Sequence, residues 1–393
     1  MSGTGCLCAT VVLLGTAAGR SRPLCQDGPD RQHSGATREN SAGSAPKGEW
    51  MYGSYTGRSR PRGRAAAGFR VTGTAAVCAA LLLAGCSGDG DSAPVVGQQP
   101  KEKDPYWVNP DGSAARQVAA YEEDGDQEKA RLIRKIAEQP VGEWIGPDAP
   151  ENEARRVTEA AAKADRYALL VLYNIPHRDC GQFSKGGAAD GNAYRSWVDG
   201  VAKGIGDRPA TVILEPDALL HLVDGCTPQE HHDERYALLK GAIERLKKQP
   251  ATKVYVDAGN AGWQSPETLH EPLWRAGIEK ADGFSLNVSN FRTTAVSTEF
   301  GKKLSVKVGD KPFVIDTSRN GNGPYEGGDP AETWCNPPGR ALGEPPTTTT
   351  GDERVDAYLW IKRPGESDGD CKGGPKAGGW WPEYALGLAR ATK

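Results

Sequence analysis

The sequence predicts an α/β fold in which a parallel sheet closes into a β/α barrel. Short, apolar, β-rich runs alternate with amphipathic helical stretches, and that alternation implies parallel strands joined by crossover helices. The runs are apolar throughout, so both faces of the sheet must be covered. Neither a GxGxxG run nor a P-loop follows the first strand, which leaves a nucleotide site of the open, doubly wound kind without support. A barrel is the better reading.

Taken in order, the strand candidates are EWIG at 143–146, YALLVLYNI at 167–175, ATVILEP at 210–216, KVYVDA at 253–258, GFSLNV at 283–288, PFVIDTS at 312–318 and AYLWIK at 357–362. Between them stand ENEARRVTEAAAKAD, AYRSWVDGVAKGI, DERYALLKGAIERLKKQ and PETLHEPLWRAGIEKA, whose apolar residues recur every three or four positions. The 50 glycines and 28 prolines predict long, rigidly turned loops. No further linker or internal repeat follows Tyr106, so residues 105–393 read as one domain.

The segment before that domain is of a different kind. Residues 1–85 hold ten Lys or Arg against four Asp or Glu, a net of +6, so a total of −3 leaves −9 for the remainder. An acidic domain without a basic stripe argues against nucleic acid as a partner. Arg58, Arg60, Arg62, Arg64 and Arg70 precede the apolar run VTGTAAVCAALLL, which reads as an export signal over 51–85 and is too short for a permanent bilayer span. Leu83-Ala84-Gly85-Cys86 resembles a bacterial lipobox, which implies that Cys86 is lipidated and anchors the exported chain to the outer face of the cytoplasmic membrane; the alternative is an ordinary secretory signal cut nearby, which would leave the protein secreted. Residues 86–104 then form a flexible tether. Because Met51 begins a complete signal by itself, residues 1–50 read as an upstream over-extension.

Removing Cys6, Cys8, Cys25, Cys78 and Cys86 leaves Cys180, Cys226, Cys335 and Cys371. Four cysteines outside the cytoplasm suggest two disulfides, and three pairings are open. No CxxC pair or His spacing suggests a metal, and His221, His231 and His232 read as surface residues.

In a β/α barrel the reactive groups sit just past the C-terminal ends of the strands. Here those ends carry Tyr173 and Asp179 after the second strand, Asp217 after the third, and Asp257 and Trp263 after the fourth. Asn287 and Asn290 follow the fifth, Asp316 and Arg319 the sixth, and Lys362, Glu366 and Asp368 the seventh. Turn-capping explains any one of these residues, but the repetition at one end of six strands implies a shared cleft that also holds Trp144, Trp263 and Trp334. No GxSxG elbow offers a serine nucleophile. Carboxylates beside aromatic faces are the equipment for glycoside hydrolysis, which needs one protonated carboxyl for the leaving oxygen and others to steer water or stabilise an oxocarbenium-like state. Such chemistry requires no cofactor.

YNIPHRDC, ILEPDAL, VDAGNAGW, IDTSRNGNGP, WCNPPGRALGEPP and LWIKRPGESDG, in that order, resemble the cellulases of glycoside hydrolase family 6 along nearly all of 105–393. The resemblance implies a distorted seven-stranded parallel β/α barrel and hydrolysis of β-1,4-glucan with inversion. It implies Asp217 as general acid and Asp179 as the carboxylate that raises the acid's pKa and relays a proton from the attacking water. It implies Asp368 as the candidate base, Asp257 as an electrostatic or sugar-binding carboxylate, Tyr173 against the sugar at the cleavage point, and Lys362 and Glu366 as sugar-binding. Asn260 stands where the family often has His, and Phe291 where Tyr is common. The pairing implied is Cys180 with Cys226 and Cys335 with Cys371. Arg363 and Asp370 read as ordinary turn charges.

A compact domain with little room for a lid between Cys335 and Cys371 predicts an open cleft and internal cleavage. The alternatives are an exo-acting cellobiohydrolase of the same family or a silent glucan-binding protein. A monomer acting on glucan chains, held at the membrane only by its lipid, is expected.

Overall fold

The computed structural model describes residues 105–329 and 332–393. The export signal, the anchor at Cys86 and the tether lie outside the described residues. Seven strands form one sheet in sequence order: β1 (Glu143–Ile145), β2 (Ala168–Leu172), β3 (Ala210–Leu214), β4 (Thr252–Asp257), β5 (Gly283–Leu286), β6 (Phe313–Asp316) and β7 (Val355–Leu359). Every neighbouring pair is parallel. The barrel is distorted because β1 and β7 approach without a ladder: Gly142 N–H donates to Trp360 O at 2.8 Å, and the Trp144 indole N–H to Ile361 O at 3.0 Å.

The described helices are α1 (Ser113–Glu123), α2 (Gln127–Ala137), α3 (Pro150–Lys163), α4 (Gly191–Ile205), α5 (Leu220–Val223), α6 (His232–Leu246), α7 (Pro266–Arg275), α8 (Thr294–Lys307) and α9 (Pro382–Ala391). α3, α4, α6 and α7 occupy the four predicted amphipathic stretches. Side-chain caps start several helices: Asp190 accepts from Ala193 N at 2.8 Å at α4, and Ser265 accepts from Thr268 N at 3.2 Å at α7. Among the described residues no helix is long and apolar enough to cross a membrane.

Strand alternation divides the core. Leu169, Val171, Ile213, Tyr255, Val314 and Leu359 fill the barrel, while Leu170, Leu172, Val212, Leu214, Val254 and Val256 pack under the helices. Fully burying each such side chain is worth roughly 1.5–3 kcal/mol, which explains why the strands are apolar on both faces. A third cluster joins α1, α2 and α9 through Ile133, Ile136, Leu386 and Trp360.

The second strand is shorter than the run that predicted it. Asn174 and Ile175 leave the ladder because their N–H groups donate to the Glu215 carboxylate, at 3.0 Å each, instead of to a strand carbonyl. This substitution of side chain for ladder recurs at the other strand exits and shapes the site.

Candidate active site

Where a parallel sheet runs out, the first N–H groups of each exit loop lose their ladder partners and must find others. Buried carboxylates supply them. Asp257, at the end of β4, accepts from Asp217 N at 3.0 Å, Gly259 N at 3.1 Å and the Ser285 hydroxyl at 3.0 Å. Asp316, at the end of β6, accepts from Ser289 N, Lys362 N and Ser318 N, each at 3.0 Å. With Glu215, these side chains knit neighbouring exits together below the cleft floor. The exits are also strained: Asp179, Glu215, Asp217, Asn287 and Ser289 all have positive φ, between 51° and 67°, at a cost of order 1–3 kcal/mol each.

Above the floor lies a cleft of about 1020 Å³ lined by Asp179, Asp217 and Asp368, with Trp144, Tyr173, Trp263 and Trp334 as its aromatic walls. Asn260, Asn290, Lys362 and Glu366 also line it, as the sequence predicted. Two predicted sugar-binding residues do not. Asp257 is 1% exposed and its carboxylate is committed to the floor. Asn287 is fully buried, accepting from Arg292 N at 3.0 Å and donating to Arg292 O at 3.1 Å and Asp316 O at 2.8 Å. Both were legible as polar strand ends, but the direction in which each side chain turns depends on backbone groups of other loops.

Asp217 lines the cleft with its backbone anchored on Asp257, and no hydrogen bond to its carboxylate oxygens is present among the described residues. Burial raises its pKa well above the ordinary carboxylate value, and the charges of Asp257, Asp179 and Asp224 raise it further. Burial likewise lifts Asp257, to about 6, against three hydrogen-bond donors that favour its ionised form. The proton shared by this pair therefore resides on Asp217, which has no donors. Asp179 is also raised by burial, although Ser184 N donates to it at 2.5 Å. Tyr173 is pushed far above its usual value by burial and by Asp217 and Asp179, so its hydroxyl stays a donor beside them. Its ring meets Trp144 edge-on at 5.6 Å and carries the Arg178 guanidinium at 4.8 Å.

Asp368 is held differently. One oxygen accepts from Arg319 Nη1 at 2.9 Å and Asn336 N at 3.0 Å, and the other lies 3.5 Å from Lys362 Nζ. Burial opposes its ionisation, but Arg319 and Lys362 overcome that and depress its pKa. The Arg319 guanidinium stacks on the Phe291 ring at 4.4 Å, so this cleft-lining ring, which has no hydroxyl for a sugar, packs against the cation.

Arg363 departs from its reading as a turn charge. It bridges Glu366 Oε1 at 3.1 Å and Glu143 Oε2 at 3.2 Å and so orients Glu366 in the cleft. Asp370 is exposed, as read. His221 is 7% exposed, not a surface residue; it lies edge-on to Trp263 at 5.4 Å, and burial lowers its pKa to about 4, leaving it neutral. Its ring lies with the Cys180 and Cys226 sulfurs within 4.8 Å, but those sulfurs are bonded to each other and offer no thiolate to a metal.

Two disulfides, Cys180–Cys226 and Cys335–Cys371, flank the cleft in the pairing that the resemblance implied. The first follows Asp179 directly, and the second closes the loop pair in which Asn336 and Asp368 bond reciprocally. Phe183 of the Asp179 loop lies against Gly369 of the Asp368 loop, where an added Cβ would fall 2.5 Å from its ring. Gly262 similarly leaves room for the Arg292 guanidinium, which lies over its backbone and lines the cleft. Arg292 and Glu215 are the functional candidates that sequence reasoning missed; a β-exit position was the only available signal for either.

The comparisons with known proteins agree with this geometry. Endoglucanase A of Cellulomonas fimi is 45% identical over 298 residues, covering 75% of this chain and 63% of that protein. The chain thus spans less than two thirds of that relative's length. Endoglucanase 1 of Streptomyces halstedii is 44% identical over 291 residues, covering 71% of this chain and 87% of that protein. Among solved structures, an endoglucanase from Mycobacterium tuberculosis in complex with methyl-cellobiosyl-4-deoxy-4-thio-beta-D-cellobioside superposes with a TM-score of 0.69 at 43% identity, covering 75% of this chain and 99% of that one. The family model of glycosyl hydrolases family 6 matches residues 101–392, and with its seven-stranded barrel and carboxylate cleft this chain belongs to that family.

Proposed function

We propose that this protein is an inverting endo-β-1,4-glucanase that hydrolyses internal bonds of cellulose or cellulose-like glucans. The observation that carries the reading is Asp217, a carboxyl kept protonated by burial and by Asp257, in a cleft whose walls also hold Trp144, Trp263 and Trp334. Asp217 gives its proton to the leaving glycosidic oxygen, and Trp144, Trp263 and Trp334 offer flat faces to successive pyranose rings. Asp179, itself raised by burial, takes a proton relayed from the attacking water. Asp368 is pinned by two cations and is a weak base at its depressed pKa, so its role is to stabilise the positive charge that develops on the sugar. Endo action is favoured by relatives named endoglucanases at 44–45% identity over most of this chain.

Product analysis tests the reading. Viscosity of a soluble cellulose derivative should fall much faster than reducing ends appear, and NMR should show the α-anomer as first product. Sugar release without loss of viscosity would sink endo action, and a β-anomer would sink inversion.

We also propose, from the leader sequence, that residues 51–85 direct export, that Cys86 carries the lipid anchor and that 105–393 is the catalytic domain, acting as a monomer outside the cytoplasm. Mass spectrometry of the cell-associated protein should find a diacylglyceryl group on Cys86; an unmodified mature N-terminus elsewhere would overturn the anchor.

A further inference from the structure

Two buried groups of opposite charge stand behind the acid, and neither has a role in the chemistry just described. Glu215 is 1% exposed, with left-handed backbone. Its carboxylate accepts from Asn174 N at 3.1 and 3.0 Å and from Ile175 N at 3.0 Å, while its own N–H donates to Leu172 O at 2.8 Å. Arg235, on α6, is 2% exposed. It donates to Pro176 O at 2.9 Å and His177 O at 3.0 Å on the β2 exit, and to Ala218 O at 3.2 Å and Thr227 Oγ1 at 2.7 Å on the β3 side.

Four consecutive residues, 174 to 177, are thus gripped by these two side chains. With Arg178 they lead from Tyr173 to Asp179. The other ends of the grips are residues 215 and 218, which flank the acid. Neither Glu215 nor Arg235 forms an ion pair among the described residues: backbone carbonyls hold most of the Arg235 fork, and burial lifts the Glu215 pKa to about 7 against the N–H donors of Asn174 and Ile175 that favour its charge. Burying charge in this way is a poor route to stability, since well-packed apolar side chains would serve at least as well. It is a good route to fixing two loops at one separation.

On the reading proposed above, we propose that Glu215 and Arg235 are positioning residues that set the Asp179 loop against Asp217. The separation matters because the Asp179 charge helps to hold the proton on Asp217, which also faces Asp257, Asp224 and Tyr173. The charges that raise the Asp217 pKa are those of Asp257, Asp179 and Asp224, while Glu215 acts on Tyr173 at the start of the gripped segment, so its influence on the acid runs through the β2 exit.

The test is Glu215→Gln, which keeps the shape and one acceptor oxygen but cannot ionise. Expected are a kcat lower by about tenfold or more, a KM within about twofold and an alkaline limb of the kcat profile displaced to lower pH, because an Asp179 that drifts away supports the Asp217 proton less. Melting temperature and the disulfide content report the fold. Unchanged kcat and an unchanged limb in a folded variant would overturn the proposal, as would a rise in KM alone. Should Glu215→Gln not fold, Arg235→Lys, which keeps the charge and loses the fork, should give the same signature, and wild-type behaviour there would equally overturn it. If the wild-type protein releases no sugar, the proposed function fails, and the grip is then read from amide exchange at Asn174 and Ile175. Faster exchange at both in Glu215→Gln supports the positioning role, and unchanged protection overturns it.

Discussion

Arg319 and Asp368 form a fully buried ion pair at 2.9 Å, with side-chain exposures of 0% and 4%. Removing one member leaves the other charged and unpaired, which typically costs about 3–5 kcal/mol. Asp368→Ala should therefore show a large loss of stability in denaturant titration alongside lost turnover. Asp368→Asn retains an acceptor for Arg319 and should stay folded while kcat falls. If Asp368 acts electrostatically, azide will not restore turnover to Asp368→Ala by replacing the water-activating step; restoration with formation of a glycosyl azide would make Asp368 the base.

Asp217 and Asp257 predict a pH dependence. Asp257→Asn removes a charge that opposes ionisation of Asp217, so the acid should lose its proton at lower pH and the alkaline limb of kcat should move in that direction. A limb that stays in place, measured on a soluble oligosaccharide, would contradict the coupling.

Asp217 also carries a stability cost with a definite sign. Its folded pKa is raised, so its contribution favours folding below the ordinary carboxylate value and weakens as pH rises toward the raised one. Asp217→Asn should lose about 10²–10⁴ in kcat, keep oligosaccharide binding, and be more stable than wild type at neutral pH. The stability gain should vanish in acid, where both forms are uncharged. Calorimetry at two pH values separates these outcomes.

Gly262 tests the far side of the cleft. A Cβ there would fall 1.8 Å from Arg292 Nη2, so Gly262→Ala must displace the guanidinium. A higher KM with little change in kcat is expected on oligosaccharides long enough to reach Trp263. An equal fall in kcat and kcat/KM, with KM unchanged, would place Arg292 in the chemistry rather than in binding.

The disulfide Cys180–Cys226 closes a loop of 46 residues, worth about 4 kcal/mol in the chain-entropy model. Cys180→Ser with Cys226→Ser should lower stability by up to that amount. The alkaline limb should shift as well, because Asp179 adjoins the bond. Unchanged stability would show that the hydrogen bonds of Arg235 hold these loops without it.

The sequence by itself determined the fold class, the seven strands, the end of the sheet that bears the site and the family, because strand patterning and exit motifs are local and ordered along the chain. It also determined which residue types crowd the cleft. Only the tertiary structure decided their directions: Asp217 faces the cleft and Asp257 faces the floor, although both follow strands in similar apolar-to-acidic runs. The difference lies in which unpaired backbone N–H groups come within reach, as that of Asp217 on the β3 exit and that of Gly259 on its own exit capture Asp257. In the same way Asp368 was legible as a candidate base, while Arg319 and Lys362, which fix its charge, reach it across 49 and 6 positions of chain only after folding.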